Sequence, residues 1–368
     1  MISERVLDLA VEKGLIERGQ VLALQSLARE IEGPRQASAI AEPVDEERLR
    51  FVSGFADIFV TLGLALFLGA ATYFVVLALP PGGTALALAA MAWGLAEFFT
   101  RRRRMALPSI VLLIVFVGAA FLAFSLMLGA GRSASLLALW GWGWGRGWGV
   151  GVMPKVEDAQ NIAIAAIGTT ALAAAHYWRF RVPITVAAAV SALSLALVTL
   201  LTALAPDLMK RFSTPVVFLI GLLIFALAMR FDLTDPHRET RRTDIAFWLH
   251  LLAAPMIVHS VFQAVGATTY GIGPASALLV LLIFAVLASV AILVDRRALL
   301  VSGLIYAGWA FASLFRTIGF RDYTGPITIL VLGAFVLILS GGWTYLRLMV
   351  LRRLSPTLAA RLPPHVPR

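Results

Sequence analysis

The sequence contains no cysteine, and only 14% of its 368 residues are charged. The first absence excludes disulfides, iron–sulfur clusters and thiolate zinc sites. The second sets the chain apart from soluble domains, in which about 25% of residues carry charge. Acidic residues are scarce where they would matter most. None of the 21 Asp and Glu falls in the middle of an apolar run. Intramembrane carboxylates are the usual device of proton- or sodium-coupled transport, so their lack argues against a carboxylate-driven pump. There is also no phosphate loop, nucleophile elbow or HExxH sequence. No catalytic residue, metal site, cofactor or enzymatic activity is therefore expected.

Hydrophobic residues make up 60% of the chain. They come in blocks of about 17–25 residues, the length that crosses a hydrocarbon core roughly 30 Å thick. The blocks read as helical spans over 55–79, 84–100, 107–128, 161–178, 182–204, 214–230, 245–267, 274–294, 298–318 and 325–346. Pro80-Pro81-Gly82-Gly83 and Gly271-Ile272-Gly273-Pro274 punctuate two of the links. The expected fold is an all-α, polytopic membrane helix bundle of about ten transmembrane helices, preceded by a short N-terminal cytoplasmic helical hairpin. In domain terms, 1–50 form a cytoplasmic amphipathic helical head and linker, 51–350 the bundle, and 351–368 a cytoplasmic tail.

The head does not read as a signal peptide, because residues 1–20 carry Glu4, Asp8, Glu12 and Glu17. Val6, Leu7, Ala10 and Val11 recur at helical spacing, and Val21, Leu24, Leu27, Ala28 and Ile31 form a second stripe. Two short helices joined near Gly14–Gly19 either pack face to face or use that apolar face to bind a cytoplasmic protein partner or self-associate through residues 1–32.

The net charge of +10 would suggest nucleic acid in a soluble protein. Its distribution gives a better reason. With the N-terminus inside, 24 of the 31 Lys and Arg fall in inside segments and 7 outside. Every inside link is basic, as the positive-inside rule requires. One span more or fewer would scramble this alternation. Both termini are therefore expected in the cytoplasm, the lipid bilayer is the expected partner, and no nucleic acid is. A repeated unit also shows, in which a descending helix ends in a short Arg turn and an ascending helix comes directly after it. The turns are Arg101–Arg104, Arg179-Phe180-Arg181 and Asp295-Arg296-Arg297. Tight cytoplasmic hairpins need such charge anyway; duplication of a hairpin is the alternative. Ten spans also permit a five-plus-five inverted repeat.

Few polar groups inside the spans can carry chemistry. His250 and His259 share one span, but a separation of nine residues is about 900° of helix and puts them on opposite faces. They cannot clamp a metal, which needs a spacing of three or four. His259 has Ser260 beside it and Gln263 one turn on. Pro255, four residues earlier, frees the carbonyl of Leu251 and predicts a kink. Pro255, His259, Ser260 and Gln263, joined by Tyr306 from a neighbouring span, form the candidate polar pocket. Interhelical hydrogen bonding is the competing reading for the same groups. Arg316, near the outer end of its span, either snorkels to the interface or meets an anion on the outer side. Trp140, Trp142, Trp144 and Trp148 alternate with glycines in the longest outer loop. They read as an interfacial aromatic anchor, or as a platform for a lipid, sugar or cationic ligand.

The stretches EERLRFVSGFADIFVTL (46–62) and AWGLAEFFTRRRRMALPSIVLL (92–113), with the leader EKGLIERGQ (12–20), resemble a family of proteobacterial multi-pass membrane proteins of unknown function. That family has a short cytoplasmic helical leader with a similar Gly-Leu-Ile-x-x-x-Gln turn. The resemblance covers about residues 1–130, implies a bacterial inner-membrane location, and carries over no site residues. Two functions stay open. One is transport of a small neutral or lipophilic solute; the other is a non-transporting membrane scaffold or regulator acting through the cytoplasmic head.

Overall fold

The computed structural model describes residues 13, 20, 21, 55–129, 156–235, 240–264, 274–294, 298–320 and 322–352. The head, the Trp-Gly loop with Trp140, Trp142, Trp144 and Trp148, and the tail beyond 352 lie outside the described residues, apart from Lys13, Gln20 and Val21. The chain divides into two compact units, and the long helices belong to the one from Arg50 to Pro364.

The described residues of this unit form helices and no strand. In order the helices are α1 (Phe55–Ala78), α2 (Pro81–Ala96, continued by a π-helical turn, Glu97–Arg102), α3 (Ala106–Met127), α4 (Val156–Phe180) and α5 (Ile184–Leu204). Next come α6 (Pro206–Leu233), α7 (Arg241–Ala264), α8 (Pro274–Val294), α9 (Ala298–Ile318) and α10 (Thr324–Leu351). Each coincides with one of the ten expected spans, and several run a turn or more longer. Helices suit these sequences because hydrocarbon offers no partner to a backbone N–H or C=O, so every bond must close within the segment. Prolines fit at the starts: Pro81 and Pro206 open their helices where no N–H bond is needed.

Among the described residues, eight helices are long and apolar enough to cross a membrane: α1, α2 with its π turn, α3, α5, α6, α7, α8 and α10. Their outward faces are apolar, with Phe59, Leu66, Phe74, Leu223, Leu282 and Leu337 exposed. Such surfaces are stable only against lipid. The chain is an integral membrane protein.

Packing follows chain order. The closest pairings are α2 with α3, α4 with α5, α6 with α7, and α8 with α9. These are the four hairpins closed by the basic links. Each hairpin then meets the next: α3 touches α4, α5 touches α6 and α7, and α7 touches α9. Helix α1 lies against α2 and α3, and α10 against α8 and α9. This is the hairpin unit seen in the sequence, in three dimensions. It does not match a five-plus-five plan. The first five helices pair as second with third and fourth with fifth, whereas the last five pair as first with second and third with fourth.

Small residues let the partners approach. A Cβ on Gly221 of α6 would sit 3.0 Å from Cβ of Met256 and 3.2 Å from the backbone nitrogen of Ile257, both on α7. Ala246, Ala253 and Ala254 on α7 are fully buried. Such close contacts take the place of a hydrophobic driving force between helices in lipid.

Candidate functional site

The polar groups expected around His259 make separate hydrogen bonds, two between helices and one within α7. His259 shares a short hydrogen bond, through Nδ1, with the hydroxyl of Tyr306 on α9. Tyr306 is buried and packs on Phe262 and Trp309. Gln263 turns the other way: its Oε1 accepts a 3.0 Å hydrogen bond from the hydroxyl of Thr214 on α6. Ser260 donates to the carbonyl of Met256 in its own helix, at 2.7 Å. The structure thus joins His259 to Tyr306 and does not bring Gln263 or Ser260 to them. Nε2 of His259 is buried and has no partner among the described residues. Helix α7 runs through Pro255 as one continuous element. The irregular backbone is in α6 instead, at Phe212 (φ −121°, ψ 18°), three residues before Pro215. A proline there removes a backbone bond and crowds the preceding turn.

His250 and His259 do meet different helices, as their spacing predicts. Nε2 of His250 lies 2.9 Å from Oδ2 of Asp232 on α6, and both side chains are buried. The ring of Phe225 packs on the imidazole at 5.1 Å. Asp232 follows the expected span 214–230; α6 extends past it to Leu233, and its side chain is buried. Nearby, Oδ2 of Asp235 accepts from Thr240 N–H at 2.8 Å, from the Thr240 hydroxyl at 2.6 Å and from the Thr243 hydroxyl at 3.0 Å. Three donors on one carboxylate fix the start of α7. The pairs Asp232–His250 and Thr214–Gln263 lie nearly symmetrically about the turn between α6 and α7. That symmetry is the signal by which the sequence could have revealed them.

The other notable region was not anticipated. A cavity of about 440 Å³, half open to the bundle surface, lies between α2, α3 and α4. Leu86, Ala89 and Trp93 line it from α2, Phe116, Ala120 and Ala123 from α3, and α4 adds Leu172 and Ala175. Its surface is almost wholly apolar. Beside it, the ring of Trp93 meets those of Phe116, His176 and Phe180 at 5.2, 5.6 and 5.1 Å. Nδ1 of His176 lies 3.4 Å from the Thr185 hydroxyl of α5, a marginal hydrogen bond. The space exists because alanines occupy one face of α2 and α3 where leucines would have filled it. One turn beyond Trp93 lies Glu97, whose Oε2 binds Arg179 of α4 at 2.9 Å and Arg101 at 3.5 Å.

Arg316 is exposed in the last turn of α9. No group of three or more His, Cys, Asp or Glu that could hold a metal ion occurs among the described residues. No protein-family model, curated protein or solved structure matches the chain.

Proposed function

We propose that the chain is a ten-span bacterial inner-membrane protein, with both termini in the cytoplasm, that binds and moves a small lipophilic solute through the cavity between α2, α3 and α4. The observation that carries this reading is the cavity itself. Its volume falls within the roughly 300–1,000 Å³ of small-molecule sites. Its alanine, leucine and aromatic walls offer no partner to a charged or strongly polar ligand. Neutral, apolar cargo also needs no buried carboxylate. The orientation rests on the charge distribution, and membership of the proteobacterial family on the resemblance at 12–20, 46–62 and 92–113. No enzymatic step is part of the proposal.

A long-chain alcohol bearing a diazirine, photolysed in proteoliposomes, tests it. Labelling should concentrate on residues 86–93 and 116–127, compete with unlabelled alcohol, and fall sharply in Ala120→Trp, which fills the cavity. Labelling spread evenly over lipid-facing α1 and α10 would sink the proposal.

A second reading, a non-transporting scaffold or regulator acting through the head, draws support from the His259–Tyr306 and Gln263–Thr214 pairs. These tie α6, α7 and α9 together where a polar path was expected. Deletion of residues 1–45 that leaves the cellular phenotype intact would count against it.

A further inference from the structure

The ends of α2 and α4 and the turns after them gather six arginines: Arg101, Arg102, Arg103, Arg104, Arg179 and Arg181. All six are exposed. Among the described residues Glu97 is the acid paired with them, engaged by Arg101 and Arg179 through a single oxygen. That shared carboxylate ties the two turns into one patch. Arg102, Arg104 and Arg181 make no ion pair among the described residues, and Arg103 stacks on Phe98 at 5.5 Å. Arg104 (φ 54°) and Arg181 (φ 55°) adopt the left-handed conformation that helix ends usually assign to glycine. An arginine there accepts backbone strain and presents a guanidinium.

Topology signalling alone needs positive charge in the inside links. It does not need this imbalance. Residues 230–244, the link between α6 and α7, carry four arginines against four acidic residues. Residues 97–104 and 179–181 carry six against one. Next to these arginines Trp178 is 84% exposed and Phe98 42%, aromatic side chains at the depth where rings sit among lipid headgroups.

We propose that this patch is a binding surface for the phosphate of anionic membrane lipids. Guanidinium forks match phosphate oxygens in pairs. The patch lies where the apolar helices end, at headgroup level, so the phosphate it meets belongs to the bilayer. By the charge distribution that leaflet is the cytoplasmic one.

The test uses the full chain reconstituted in phosphatidylcholine vesicles, with spin-labelled phosphatidylglycerol or phosphatidylcholine as the probe. Electron spin resonance reads the fraction of each probe immobilised on the protein. Phosphatidylglycerol should associate several-fold more strongly, and the preference should decline with salt. Arg102→Gln/Arg103→Gln and Arg104→Gln/Arg181→Gln should each lower it toward parity with phosphatidylcholine. Arg241→Gln/Arg242→Gln, in the balanced link, should leave it unchanged. If one patch variant fails to insert, the other and the salt dependence still decide. Equal association of both lipids, or a preference that survives both patch variants, overturns the proposal. Displacement of the lipid by millimolar inorganic phosphate overturns the lipid as the source and assigns the site to a soluble phosphate.

Discussion

Replacing Gly221 by alanine should separate α6 from α7. The added Cβ would meet Cγ1 of Ile257 and Cβ of Met256 at 3.0 Å, and the Ile257 backbone nitrogen at 3.2 Å, where ordinary contacts are 3.4–4 Å. A helix backbone cannot swing aside as a side-chain tip can, so the hairpin must open by a few tenths of an ångström along its closest pairing. Overpacking of this kind costs about 1–3 kcal/mol. Alanine recovers part of that, up to about 1 kcal/mol, through its better helix propensity. Gly333→Ala in α10 isolates the propensity term, because nothing lies within 4 Å of its Cβ position. Steric-trap unfolding in bicelles should place Gly221→Ala about 1–3 kcal/mol below Gly333→Ala. Gly303→Ala should fall between them, since its nearest neighbour, at 2.8 Å, is the ring of Phe284, which can tilt. Equal stabilities for the Gly221 and Gly333 variants would refute the close approach of α6 and α7.

The Asp232–His250 pair should behave as a buried polar pair. Asp232→Ala should cost about 1–3 kcal/mol, and the double change Asp232→Leu/His250→Phe less, because the imidazole is then not left facing an alanine; a double variant no better than the single would refute this. Tyr306→Phe should cost only about 0.6 kcal/mol, the usual size of a hydrogen bond between membrane helices, in the same unfolding measurement. Reporters inserted at the 101–105 and 181–183 turns should both read cytoplasmic; one on each side would end the ten-span topology.

The helices were legible because apolar length is a strong signal and the links are marked by Pro, Gly and Arg. Residues 84–100, short and alanine-rich, still form most of α2. What the sequence could not show was which helix faces which. His259 and Gln263 are four residues apart and share a helix face by spacing, yet one reaches α9 and the other α6. A one-dimensional wheel gives direction to within a third of a turn; two neighbours can both lie within that arc. The burial of Asp232 was hidden for a related reason. Hydropathy ends a span at the first charge, whereas the helix ends where its backbone does, at Leu233. The cavity escaped notice because it is made of missing volume, and an alanine in a membrane helix looks the same whether it faces a void, a neighbour or lipid.

The serial packing of the hairpins bears on how the protein is made. From α2 onward each helix finds its closest partner immediately before or after it in the chain, so little must wait for a distant segment to be synthesised. Contacts of low sequence separation close early and cheaply. A nascent chain that has released α2 and α3 already holds a paired unit, and each later hairpin docks on a finished surface. Chains ended at 204 or 264, between hairpins, should therefore escape quality-control proteases better than chains ended at 180 or 233, which leave a helix without its partner.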